Sequence, residues 1–437
     1  MTMRSMAVWT IQYGLSGLGM RIGSRRGDLI SRLVADPRLR EDPFPAYDEI
    51  RAMGAMAHGS FISATANYAT ATELLRSDIF QAGPTPVPFP RLARLLDAVR
   101  EPRALSVVDP PSLIAISAPQ HTRLRRLVTR AFTARAIAAL SKRVEGLANE
   151  LLDRIEATNS GTFDVIGSYA ALLPVTVIAE ILGVPAGMRD LFRELGDDVA
   201  LALEPGMPWR DYRRSDAASR RFHAWFDEHI ARLRREPEDN LLSHMIQAAD
   251  GADRLTDTEL RVTAMLVLGA GFETTVNLIG NAVPLLLANP GQLDRLRREP
   301  AGWPNAIEEV LRHDSPVQFT LRIPREDAEV AGTSLPAGRP VLILLGGANR
   351  DPAVFPDPNV FDTARANARE HLAFSSGVHF CLGAQLARLE AATATRVLFE
   401  RFPDLRLDGR PVRRGNRVLR GYTHMPLAPQ ARVGVEP

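Results

Sequence analysis

Where apolar residues recur along this chain, they recur mostly at helical spacing. Leu382, Leu386 and Leu389, with Ala384 and Ala387 between them, predict a helix that starts at Leu382. Similar patterns predict helices over residues 46–53, 121–132 and 134–156, and helical pieces alternating through 182–226. The longest element departs from this one-sided pattern. Thr256, with Glu259 three residues later, forms a capping box that marks its start. The run 262–271 then has no polar stripe, which predicts a helix buried on every side. Asn289-Pro290 closes it, and Pro284 is expected to kink its last turns. Roughly 30 residues at a rise of 1.5 Å make about 45 Å, enough to cross a whole domain. Beyond it the spacing changes. Residues 340–345 read as a buried strand, preceded by a hairpin through Ala331-Gly332. Mostly helical patterning, a smaller β region segregated from it and no strand–helix–strand alternation predict a mainly α, α+β fold. A doubly wound sheet is excluded.

Composition sets limits on this picture. Apolar residues are 45% of the 437 and charged residues 24%, the balance of a globular protein with a sizeable core. The formal charge is +2, and Lys142 is the only lysine, so the positive charge is almost all arginine. Clusters such as Arg123, Arg125, Arg126 and Arg130 read as a solvated helix face, with a docking patch for an acidic protein as the alternative. Nothing points to nucleic acid. Residues 6–20 are apolar and flanked by Arg4, Arg21, Arg25 and Arg26. They fall short of the roughly 20 residues that span a bilayer, and no Ala-x-Ala cleavage pattern follows. A helix packed on the body is expected there, with an interfacial membrane contact as the alternative. These readings predict a soluble, cytoplasmic monomer with no transmembrane segment. Residues 1–41 form a partly helical extension, and 42–437 one domain that begins at Asp42-Pro43-Phe44-Pro45-Ala46-Tyr47. The proline-rich stretch 81–117 is long for a loop in a compact domain, and such loops carry function. Glu204-Pro205-Gly206 reads as a mobile junction.

The chemistry begins with a single thiol. Cys381 is the only cysteine, so it makes neither an internal disulfide nor a cysteine-rich zinc site. A catalytic nucleophile, a buried filler and a single axial ligand to a metal remain. Its surroundings, Phe374-Ser375-Ser376-Gly377-Val378-His379-Phe380-Cys381-Leu382-Gly383, favour the ligand. Gly377 and Gly383 remove side chains on both sides of the sulfur, so backbone can lie close to something flat and large. The expected helix start places the sulfur at a helix N-terminus, where the dipole favours the thiolate. A cysteine hydrolase would want a separately oriented general base, and His379 stands only two residues away.

The pattern F-x-x-G-x-H-x-C-x-G resembles the haem-binding loop of the cytochrome P450 family. The resemblance implies the fold of that family, with haem b between the long central helix and this loop. It implies Cys381 as the thiolate ligand of the iron, Phe374 packed near the sulfur and His379 at a haem propionate. Ser375 stands where many bacterial members carry glycine, which implies a small local adjustment of the loop. Within the buried helix, Ala270-Gly271-Phe272-Glu273-Thr274-Thr275 is expensive for a core, since an unpartnered carboxylate there costs several kcal/mol. Thr274 can return its hydroxyl to the carbonyl of Ala270. Read alone, this is a polar pair facing a water-filled pocket. It also resembles the family's A-G-x-[D/E]-T element, which implies a helix that bulges over the iron. Thr274 would then steady bound dioxygen, and Glu273 would help deliver protons.

Glu309-Val310-Leu311-Arg312 places an acid and a base on one helix face. By resemblance this pair is buried and structural, with Arg365 as its third member. The propionates would meet His121, Arg125 and Arg322 as well as His379, although Ser117-Ala118-Pro119-Gln120 departs from the D-P-P-x-H of many relatives. The substrate pocket would draw on residues 81–117 and 187–222, and on Leu266, Ala270, Val317 and Thr423. The resemblance spans about 42–427 and includes Asn349-Arg350-Asp351-Pro352, Phe355-Pro356-Asp357-Pro358 and Arg420-Gly421. Arg25-Arg26-Gly27-Asp28-Leu29 and residues 271–281 and 350–356 resemble the actinobacterial branch numbered family 140.

In function, the resemblance implies a haem-thiolate monooxygenase. It would insert one atom of O2 into a C–H bond of an apolar small molecule. Nothing in the chain binds NAD or flavin; Gly17-x-Gly19-x-x-x-Gly23 misses the dinucleotide fingerprint by one residue. Electrons would come from a ferredoxin and its NAD(P)H-dependent reductase, docked near Cys381 at arginines such as Arg126, Arg130 and Arg388. A peroxide-driven haem enzyme and a non-catalytic haem-binding sensor are the alternatives.

Overall fold

The computed structural model describes residues 3–83, 101, 104–129, 132–158, 161–249 and 255–429. Helices α1 (Met3–Trp9) and α2 (Leu15–Arg25) form one rod through a π-helical turn, Thr10–Gly14. They are followed by α3 (Leu29–Ala35), α4 (Phe44–Ala52) and α5 (Tyr68–Arg76). Side-chain caps open two of these: the Asp28 carboxylate accepts from the Ile30 N–H, and Asn67 from Thr70. Next come α6 (Gln120–Thr129), α7 (Ala134–Ala139) and α8 (Ser141–Ala157). The helix expected over 134–156 is thus two, broken at Leu140. Helices α9 (Leu172–Leu182), α10 (Arg189–Ala200), α11 (Trp209–Arg235) and α12 (Leu241–Ala249) lead into the 32-residue α13 (Asp257–Ala288). The last are α14 (Pro290–Arg298), α15 (Trp303–His313) and α16 (Ala384–Arg401).

Helix α13 is the axis of the body. The Thr256 hydroxyl accepts from the Glu259 N–H at 3.2 Å, and the Glu259 carboxylate accepts from the Thr256 N–H at 2.9 Å. Asn289 caps the far end, and Pro284 lies inside it. Helices α9, α10, α11, α15 and α16 surround it, and Leu260, Ala264, Leu268, Val276, Ile279 and Val283 are buried against them. Each of the larger side chains contributes about 1.5–3 kcal/mol by leaving water. One stretch differs. Gly269, Gly271 and Thr274 are half-buried, and Ala270 is exposed in the middle of the core.

The five-stranded sheet lies apart from this bundle. Five strands pair in the order β1 (Ala57–His58), β2 (Ser63–Thr65), β8 (Val341–Ile343), β5 (Thr320–Pro324) and β3 (Phe80–Gln81). Only β2 and β8 run parallel. Strand β8 is buried at every position, as a central apolar strand is. A hairpin of β6 (Ala328–Val330) and β7 (Thr333–Leu335) turns at Ala331 and Gly332, whose φ angles of 49° and 72° are those of a type I′ turn. Strand β4 (Phe163–Asp164) pairs with β12 (Pro426–Pro429), which also pairs with β9 (Leu405–Leu407).

The last hairpin, β10 (Val412–Arg413) with β11 (Tyr422–His424), lies across α13. Gly421 permits this approach, since a Cβ there would stand 2.0 Å from the Asn277 side-chain oxygen. The junction at Glu204 is pinned rather than mobile: its buried carboxylate accepts from the N–H groups of Arg417 and Val418 at 2.8 and 3.0 Å. Gly206 backs onto Gly17 of α2. The glycines of that rod serve close helix packing. Much of the 81–117 loop lies outside the described residues.

Candidate active site

The loop before α16 is built from its backbone outward. The Cys381 N–H donates to the Phe374 carbonyl at 2.9 Å, which closes the loop on itself. Gly377 sits at φ 66°, and a Cβ there would meet the Leu75 carbonyl at 2.6 Å, so only glycine fits against α5. Arg76 of α5 donates to the Ser376 hydroxyl at 2.9 Å. Behind the loop the Arg388 guanidinium lies over the Phe374 ring, 4.6 Å from its centre, and donates to Glu308 at 2.8 Å. His371 shares the same carboxylate at 3.0 Å. Arg388 is therefore committed to the scaffold.

Helix α16 begins at Ala384 with Gly383 as its cap residue, two residues later than the apolar spacing predicts. Cys381 stands before the helix rather than on its first turn. Burial raises its thiol above the ordinary value, against the Gly383 backbone hydrogen bond and the charges of Arg125 and Arg388. Cys381 is nevertheless exposed, as is Ala270 on α13. Gly383 has nothing within 4 Å of where its Cβ would point, so the space beside the sulfur is open.

Four basic side chains gather beside the sulfur. The rings of His121, on α6, and His379 lie 4.4 Å apart. Arg125 donates to the Phe380 carbonyl at 2.6 Å. Arg322, on β5, is buried; its Nη1 reaches Thr320 and Leu321, and its Nε has no partner. Burial lowers Arg322 to about 10. Burial, then Arg322, His121 and Arg125, lower His379 to about 3. No carboxylate among the described residues forms a salt bridge with any of the four, so the cluster is unbalanced.

Glu273 and Thr274 do not share a face of α13. The Thr274 hydroxyl donates to the Ala270 carbonyl at 3.0 Å, beside the exposed alanine. No bulge interrupts the helix there. Glu273 is buried and turns toward α10 and the last hairpin, in ion-pair contact with Arg414 at 2.7 Å without an aligned hydrogen bond. Arg414 also donates to Asp197 at 3.3 Å. Burial lifts the Glu273 carboxyl to about 8; Arg414 pulls it down and Asp197 pushes it up. Sequence reading missed Arg414 and Asp197. A buried acid demands a cation, but nothing in the spacing says which arginine supplies it.

The remaining residues fall into two groups. Glu309 and Arg312 are wholly buried and bonded through two contacts of 2.7 Å, with Arg365 at 3.2 Å. Arg312 also donates to the carbonyls of Asn349, Pro358 and Val360. Leu266 is buried on α13, and Val317 bridges to Leu419. Thr423 is exposed on β11, its hydroxyl donating to the Val412 carbonyl. Arg130 lies outside the described residues.

The family model for cytochrome P450 matches residues 197–301 and 304–411. Putative cytochrome P450 140 of Mycobacterium tuberculosis is 47% identical over 96% of both chains. The 6-deoxyerythronolide B hydroxylase of Saccharopolyspora erythraea is 42% identical over 71% of this chain and 76% of its own. Among solved structures, P450BioI in complex with hexadec-9Z-enoic acid ligated acyl carrier protein superposes with a TM-score of 0.83 and 32% identity, over 90% of this chain and 100% of that one. An identity of nearly one half along nearly the whole length, with the fold in agreement, makes this chain a member of the cytochrome P450 family, the haem-iron monooxygenases that include bacterial hydroxylases.

Proposed function

We propose that this chain binds haem b through the Cys381 thiolate and hydroxylates an apolar small molecule, with electrons from a ferredoxin and its NAD(P)H-dependent reductase in the cytoplasm. The observation that carries this reading is the unbalanced basic cluster beside Cys381. Haem brings two carboxylates, and His121, Arg125, Arg322 and His379 supply the cations and N–H donors to hold them. The unpartnered Nε of buried Arg322 fits a group that accepts from it. Held there with Cys381 as its ligand, haem would supply the chemistry of dioxygen activation.

The chain's own residues orient and protonate. Phe374 and Arg388, stacked behind the loop, hold the sulfur in place. Thr274 presents its hydroxyl beside Ala270 and passes a proton toward the open side of α13. Glu273 lies on another face of α13 against Arg414 and Asp197, and burial raises its carboxyl, so it would supply protons to that side through intervening water. Leu266 and Val317 offer apolar surface for the substrate. Two relatives, the 6-deoxyerythronolide B hydroxylase and P450BioI in complex with hexadec-9Z-enoic acid ligated acyl carrier protein, support an apolar substrate class.

The test is the carbon monoxide difference spectrum of the dithionite-reduced protein, with Cys381→His beside it. The red-shifted Soret band of thiolate-ligated haem is expected in the native protein and its loss in the variant. A well-folded native protein without a haem spectrum, or an unchanged band in the variant, overturns the reading.

A further inference from the structure

The rod formed by α1, the π-helical turn and α2 leaves much of its apolar surface outside the core. Its buried residues are Ser5, Ile11, Gln12, Tyr13, Gly17 and Gly23. The Trp9 indole donates to the Met207 carbonyl at 2.8 Å. Five large apolar side chains face water: Met3 is 91% exposed and Leu18 53%, with Met6, Leu15 and Ile22 exposed as well. Of the fourteen large apolar side chains exposed among the described residues, five are on this rod, and a sixth, Phe61, lies against its Gly19. Such a concentration on a surface helix marks an interaction site.

The charge pattern narrows the partner. On α2, Leu15, Leu18, Ile22 and Arg25 follow one another along a single stripe, at i, i+3, i+7 and i+10. Arg4, Arg21 and Arg26 are exposed around it, and residues 3–27 contain four arginines and no acidic residue. The first acid, Asp28, is turned inward to the N–H groups of Ile30 and Ser60 and the hydroxyl of Ser31. We propose that this face docks on an anionic lipid bilayer, the rod lying parallel to the surface. The apolar side chains enter the boundary of the acyl chains, and the arginines meet the lipid phosphates. The rod's 23 residues, at a rise of 1.5 Å each, make a ridge of about 35 Å, as an interfacial helix presents. Arginines at both ends of the rod, with no acid between them, match an anionic surface better than a protein's mixed one.

The full-length, haem-loaded protein is sedimented with phosphatidylcholine vesicles, with and without phosphatidylglycerol. It is expected to pellet with the anionic vesicles and to remain largely in solution with the neutral ones. Leu18→Glu with Ile22→Glu is expected to weaken that partition at least tenfold, since each apolar side chain contributes about that factor on leaving water. Its haem spectrum and melting temperature stay those of the native protein, and Val360→Glu, at an exposed apolar residue elsewhere, binds vesicles normally. Failure of the folded native protein to pellet overturns the proposal. So does equal binding by the double variant, or a native dimer in lipid-free solution that the double variant abolishes, which would assign the ridge to a second copy.

Discussion

Ser375 adopts φ 62°, a left-handed conformation that costs a residue with a Cβ about 1–2 kcal/mol. The loop takes a left-handed backbone at a residue that carries a Cβ, and bears that strain. Its hydroxyl is buried without a partner. The sequence made this position visible as a departure, but only the dihedral angle shows its consequence. Glu273 is the opposite case: its identity was legible, its surroundings were not. Arg414 favours the ionised carboxyl and Asp197 the protonated one. Arg414→Gln removes the favourable charge, so the carboxyl must climb further above about 8. As a proton donor Glu273 works in its protonated form, so the alkaline limb of kcat against pH should move to higher pH in Arg414→Gln and vanish in Glu273→Gln. Oxygen consumption with a redox-partner system measures it; an unmoved limb would separate Glu273 from proton delivery.

Among elements, the best-read were those whose signals are local. The capping box at Thr256 and the Ala331-Gly332 turn depend on residues within three positions of each other, and both formed where expected. The break at Leu140 and the late start of α16 have no such punctuation; packing and the Cys381–Phe374 hydrogen bond decide them. Between elements, Asp314 ties the end of α15 to the last hairpin. It accepts from Arg420 at 2.6 Å and Arg413 at 3.2 Å. Burial alone would raise its carboxyl, but the guanidinium groups of Arg420 and Arg413 overcome this and hold it at about 2. A depressed carboxylate stabilises the fold above its ordinary value of 3.8, and that stability is lost as pH falls toward 2. Asp314→Asn should cost roughly 3 kcal/mol at neutral pH, because it leaves buried cations uncompensated. It should also flatten the acid limb of stability between those values. Urea denaturation across that range checks both.

For the molecule as a unit, the face around Cys381 is where electrons would enter. Val378 and Phe380 are exposed there, and Arg126 is exposed on α6. Arg388 was expected in the same docking role, but Glu308 and Phe374 already occupy it. Charge reversal should separate the two. Arg126→Glu should slow reduction by ferredoxin severalfold and weaken its dependence on ionic strength, with dithionite reduction unchanged. Arg388→Glu should lose haem and stability instead. Stopped-flow reduction over a salt series reads the first and thermal unfolding the second. Slowing of both reductions by Arg126→Glu would remove it from the docking surface.

Spacing and residue type alone establish the local and the chemically singular: one cysteine in a long motif, a capped apolar helix with a costly polar interruption, a mainly helical α+β fold. Those features are set by residues close together in the chain, where neighbours act on each other directly. The folded chain settles the rest: that the expected cations stand beside Cys381 with no balancing carboxylate, that Arg414 and Asp197 flank Glu273, and that the first helices leave five large apolar side chains outside. Each of these joins residues far apart in the chain, and burial, charge and packing there depend on the path between them.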